Sequence, residues 1–110
     1  MASLYSLEIP GGVNFTPIEL SVSGTLVTGV AGKRIVVLDL WVVASAQCNI
    51  KFQTSTGNID LTGPAYCVAN GGIVLPFSAG GWFQTAVGDS LLINLSPSVA
   101  VGGSLAYSLV

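Results

Sequence analysis

Cys48, Ile50 and Phe52 alternate with Asn49, Lys51 and Gln53, which is the pattern of a strand with one face buried and one face wet. The same period of two returns in Leu91, Ile93 and Leu95. It returns again in Leu105, Tyr107 and Leu109 against Ser104, Ala106 and Ser108, and near the start in Tyr5, Leu7 and Ile9 against Ser6 and Glu8. No window sustains a period of 3.6, and the good helix formers Glu, Lys and Gln are scarce. Helix is therefore expected to be essentially absent.

Turn chemistry cuts this pattern into short pieces. Gly57-Asn58 is expected to join Cys48–Thr54 to 59–61 as a hairpin, with Gly at the first central position of a type II′ turn. Gly63-Pro64, Asn70-Gly71-Gly72, Gly80-Gly81, Gly88-Asp89 and Ser96-Pro97-Ser98 mark further breaks. Gly102-Gly103 lies inside the last apolar run and reads as a bulge. From Gly24 onward the pattern gives about eight strands: 25–30, 34–45, 47–55, 58–61, either 66–68 or 73–77, 82–86, 90–96 and 100–109. Many short strands at this spacing predict an all-β fold, an antiparallel β-sandwich with a jelly-roll-like arrangement. With 110 residues there is room for one such domain, placed at 24–110.

Residues 1–23 read differently. A strand running to Ile9 is broken by Pro10-Gly11-Gly12, and Pro17 restricts the backbone further along. Two arrangements fit: an edge strand of the sandwich, or an arm that leaves the domain and pairs with a neighbour's open edge. In the second, Tyr5, Leu7 and Ile9 form the contacting row.

Only 7% of the residues are charged, against about 25% in ordinary domains. A domain this small leaves much of its surface outside, and so few charges cannot cover it. The composition points to surface that ends up against other protein. Three basic residues, Lys33, Arg34 and Lys51, face five acidic ones, for a net charge of −2. A nucleic-acid partner, which needs several phosphates neutralised, is not expected. The N-terminus lacks the basic region of a secretory signal, and the longest apolar run is too short for a membrane helix. A protein made in the cytoplasm, with no membrane partner, is expected. There Cys48 and Cys67, read as lying on non-adjacent strands, stay free thiols, whereas an oxidising location would allow one disulfide.

The run 35–44 is the anomaly. Val36, Leu38, Leu40 and Val42 make one complete core face. Ile35, Val37, Asp39, Trp41 and Val43 occupy the opposite face, where an isolated sandwich shows water mainly polar groups. Either the N-terminal segment covers that second face or another subunit does, with Trp41 as anchor. In a subunit contact Asp39 calls for a cation, and Lys33, Arg34 or Lys51 of an adjacent chain are the candidates.

Chemistry is thinly represented. The chain has no His, which removes the usual nucleophile–base systems and His-ligated zinc. Glu8, Glu19, Asp39, Asp60 and Asp89 are scattered, and neither dinucleotide nor P-loop glycine patterns occur. No catalytic residue, cofactor or metal site is expected, and the chain does not read as an enzyme.

The segments 69–77, 81–85 and 88–96, with Gly32-Lys33-Arg34-Ile35 upstream and 101–107 downstream, resemble small structural proteins of tailed bacteriophages. The resemblance spans roughly residues 24–110. Some members of that group are capsid decoration, or cement, proteins. The resemblance implies a non-enzymatic virion protein on the capsid surface, a homotrimer that clamps the major capsid protein. Two other roles suit the same residues: a tail, neck or fibre-tip module recognising a host surface, and a non-viral lectin-like trimeric sandwich.

Overall fold

In the computed structural model, which describes residues 11–110, the alternating segments form two antiparallel sheets packed face to face. The strands are β1 (Asn14–Leu20), β2 (Gly24–Val27), β3 (Ile35–Ala44), β4 (Cys48–Thr54), β5 (Ile59–Asp60), β6 (Ala65–Cys67), β7 (Gly72–Leu75), β8 (Phe83–Gln84), β9 (Leu91–Ser96) and β10 (Val101–Leu109). The first sheet has the order β1-β10-β3-β7, with β8 also on β3. The second has the order β2-β9-β4-β5, with β6 also on β4. If β5 and β6 are taken as one interrupted strand and β7 and β8 as another, consecutive strands alternate between the sheets except at the β4–β5 hairpin, which stays within the second sheet, as in a jelly roll.

The core lies between the sheets and is built by the predicted alternation. Cys48, Ile50 and Phe52 point inward from β4, Leu91, Ile93 and Leu95 from β9, and Val101 and Leu105 from β10. Phe83 closes one side, its ring stacked on Phe52 at 5.2 Å between centroids.

Several expectations need correction. Segments 65–67 and 72–75 are both strands rather than alternatives. The β4–β5 hairpin exists, pairing Thr54 with Ile59, but its loop is 55–58 with a 3₁₀ turn over Thr56–Asn58. Gly57 (φ 75°) and Asn58 (φ 48°) both take the left-handed region inside this longer loop. Of the two arrangements open for residues 1–23, the stretch Asn14–Leu20 takes that of an edge strand: it pairs with β10 along its length, and Ile18 is core. Pro17 is tolerated there because an edge strand has one side with no ladder to donate to. Tyr5, Leu7 and Ile9 lie outside the described residues.

The bulge is not at Gly102-Gly103, which keep register with Val43 and Val42. It lies in β3, where Ala106 pairs with Asp39 and Tyr107 with Val37, so Leu38 is the extra residue. Gly103 has another task. A Cβ there would sit 1.9 Å from the Trp41 carbonyl oxygen, so only glycine lets β10 approach β3 this closely.

The bulge changes the reading of β3. Leu40, Val42 and Ala44 face the core, but beyond Leu38 the inward residues become Val37 and Ile35, both 0% exposed. Ile35 and Val37 are therefore core residues and not part of an outward contact. Val36 and Leu38, expected in the main core, instead form a small second cluster with Val13 and Ala106.

Candidate interface on the first sheet

The bulge divides the outward row of β3 into two stretches. Trp41 and Val43, on the regular stretch, face outward and are exposed, Trp41 by 50%. Asp39, beside Leu38, is half-buried and accepts a hydrogen bond from the Ala106 backbone N–H at 3.2 Å. It has a partner within its own chain and requires no cation from a neighbour. Of the cations considered for it, Lys51 lies on the second sheet against Asp60 at 3.2 Å, and Arg34 donates to the Thr85 carbonyl.

Register shows what surrounds Trp41. Val74 of β7 lies opposite it on one side and Ser104 of β10 on the other, with Pro17 of β1 beyond Ser104. One row along, Val43 is flanked by Gly72 and Gly102, with Glu19 beyond. In the row through Asp39, Ala106 is followed by Phe15. The outward positions of β10 are thus Gly102, Ser104 and Ala106, all small. They floor a trough between a wall of Phe15 and Pro17 on β1 and a wall of Trp41 and Val43 on β3.

The trough has two depressions. One, of about 310 Å³, is lined in part by Phe15, Asp39, Trp41, Val74, Phe77 and Ser104. The other, of about 620 Å³, lies at the opposite end among Glu19, Val43, Asn70 and Gly102. Phe15 and Val74 are 76% and 77% exposed, and Phe77 and Trp82 add further open apolar surface. Trp82 is held by its indole N–H, which donates to the Pro76 carbonyl at 2.8 Å. An aromatic ring held by such a bond loses little entropy when another protein covers it.

The outward face of the second sheet is different in kind. Asn49, Lys51 and Gln53 of β4 lie opposite Ser96, Asn94 and Leu92 of β9. Gln53 and Lys51 both reach Asp60, whose carboxyl they hold below its usual pKa, the Gln53 bond contributing more. The β4–β9 rows of this face are largely polar, with Ile59 and Tyr66 as exposed exceptions on β5 and β6.

The remaining acidic candidate is structural. The Asp89 carboxylate accepts from the Thr54 hydroxyl, the Thr56 hydroxyl and the Thr56 backbone N–H, so both of its oxygens are engaged within the chain. Among the described residues no group of three or more Cys, Asp or Glu side chains gathers as metal ligands would.

Sequence reading placed Trp41, Val43 and Asp39 on the outer side of β3 but missed Phe15, Val74 and Phe77. The signal for Phe15 was present: Phe15, Pro17 and Glu19 alternate with Thr16, Ile18 and Leu20. Pro17 obscured it, because proline normally argues against a strand. No protein-family model, no curated protein and no solved structure matches this chain.

Proposed function

We propose that the chain is a non-enzymatic structural subunit that associates with other protein through the outward face of the first sheet, first of all with copies of itself. The observation that carries this reading is the set of exposed apolar side chains Phe15, Trp41, Val43, Val74 and Phe77 on or beside one sheet face, in a chain with 7% charge. Isolated proteins seldom expose so many large apolar side chains on one sheet face. The trough of small residues between its aromatic walls would accept a ridge of side chains from a partner. A standard interface buries roughly 1,600 Å² in total, an area that two such faces could supply.

The more specific form of the proposal is a capsid decoration protein, made in a host cytoplasm and bound as a trimer to the major capsid protein. The sequence resemblance supports that form, including the trimer. The jelly-roll arrangement is compatible with it, since viral capsid domains use this architecture, but so do lectins and other families. Such a subunit would stabilise a shell by binding its assembled form and not its free components.

Light scattering tests the contact. Trp41→Glu puts a charge into it and should convert the oligomer to monomer. Trp41→Ala should weaken association by about 2 kcal/mol, near thirtyfold in Kd. Because Trp41 is half-exposed, neither change should unfold the domain. A Trp41→Glu protein with the wild-type mass refutes the assignment.

The second sheet favours a second reading, recognition of a host surface. Tyr66, 78% exposed, lies opposite Asn49, next to a shallow pocket lined by Asn49, Lys51, Pro64, Asn94 and Ser96. An aromatic face beside amides and hydroxyls suits a neutral sugar. Glycan-array binding that disappears in Tyr66→Ala would move the proposal to that sheet.

A further inference from the structure

Cys48 and Cys67 are direct partners in the β4–β6 ladder, on adjacent strands, contrary to the sequence reading. Both side chains are buried on the inner side of the second sheet. Directly opposed residues of an antiparallel pair have Cα atoms about 4.5 or 5.5 Å apart, depending on the pair type. Both values fall within the roughly 4.4–6.8 Å that a disulfide spans. We propose that Cys48 and Cys67 form an oxidation site that closes into one intramolecular disulfide when the protein meets a low-molecular-weight disulfide, stapling β6 to β4.

The two strands differ in a way that suits closure. β4 pairs with β9 from Asn49 to Thr54 and carries β5 as well, so Cys48 adjoins a fixed platform. β6 has three residues and, among the described strands, pairs with β4 alone, so its position can adjust by the small amount a bridge requires. The competing bonds are weak. The Cys48 thiol points to the Pro97 carbonyl at 3.3 Å and the Cys67 thiol to the Ala65 carbonyl at 3.8 Å. Burial, and then the neighbouring Cys48, push the Cys67 thiol pKa up, so its thiolate is scarce at neutral pH and the reaction speeds up as pH rises.

The exchange balances in two steps. With local opening of β6, the Cys67 thiolate attacks one sulfur of the small disulfide, forming a mixed disulfide and expelling one thiolate. The Cys48 thiol then gives up its proton to solvent and its sulfur attacks that of Cys67, expelling the second thiolate. The protein loses two hydrogens and two electrons, and the reagent gains both as two molecules of thiol. The bridge closes a loop that contains the whole β4–β5 hairpin.

The test uses the full chain and oxidised glutathione at pH 8.5 without denaturant. Expected are loss of both titratable thiols, an intact mass lower by two hydrogens with no adduct, and a Tm higher by about 10 °C that dithiothreitol reverses. Cys67→Ser treated in the same way should show no Tm increase. Thiols that stay titratable, a persistent glutathione adduct, disulfide-linked dimers, or a bridge that leaves Tm unchanged would each overturn the proposal. The result is independent of whether the first sheet forms an interface, since Cys48 and Cys67 both belong to the other sheet.

Discussion

Asp89 ties a corner of the sandwich together with one carboxylate. One oxygen accepts from the Thr54 hydroxyl and the Thr56 N–H, and the other from the Thr56 hydroxyl at 2.6 Å. The Thr54 hydroxyl in turn accepts from the Ala86 N–H, and the Ser55 hydroxyl from the Ser90 N–H, so the end of β4 is bound to the entry of β9. These bonds favour the ionised form, and the Thr54 hydroxyl, the largest contributor, holds the Asp89 pKa below its usual value of 3.8. The sign comes from linkage. The stabilisation is complete above the unfolded-state pKa and is lost as pH falls through the lower folded-state value. The urea midpoint of the wild type should therefore drop as pH is lowered below about 4. Asp89→Asn should lower the midpoint at pH 7 and flatten that acid limb, while Asp60→Asn, on an exposed group, should change both less. The sequence showed Asp89 as a turn residue after Gly88 but not its partners, because Thr54 and Thr56 lie on a different strand and loop, and their meeting depends on the β4–β9 register.

Strand β3 shows at the level of an element what period-two reading can and cannot do. Strand β4 was legible because polar residues mark every second position, and β9 because Asn94 and Ser96 do so over its second half. In Ile35-Val36-Val37-Leu38 four apolar residues run together, and such a run looks the same with or without an inserted residue. The bulge at Leu38 therefore left no trace in composition, and the inward and outward sets exchanged places across it. A deletion pair makes this testable. Removing Leu38 should restore plain alternation with Ile35, Val37 and Leu40 still inward, at the cost of one buried leucine, about 2–5 kcal/mol by denaturant unfolding. Removing Leu40 instead aims Asp39 at the core, where an unpaired charge is far more costly, and should abolish soluble folding. Equal effects of the two deletions would refute the bulge.

Among the described residues the outer face of the first sheet is more apolar than that of the second, and neither character is a property of any single strand. The low charge count announced that some surface must be covered, but which sheet carries it depends on strand order. β7 brings Val74, and β1 brings Phe15, to the same side as Trp41. If this side is a self-association face, folding and assembly are linked. The wild-type Tm should rise by several degrees for each tenfold increase in protein concentration, since each decade adds about 1.4 kcal/mol per association step. The Tm of Trp41→Glu should not depend on concentration. Differential scanning calorimetry over two decades of concentration separates the cases. A concentration-independent wild-type Tm would argue against an obligate assembly.

The position of β10 between β1 and β3 has a bearing on how the protein is made. Among the described strands β1 emerges from the ribosome first and pairs with β10 alone, and β10 emerges last of them. Until then the first sheet has an empty lane at its centre, bordered by two strands with unpaired backbone groups. The nascent chain cannot close this sheet in stages, and any strand from a sibling chain that enters the lane does so before the native occupant exists. Dense polysomes are thus where this fold is most exposed to domain swapping, and slower synthesis lengthens the exposure, because β10 follows every other described strand in the chain.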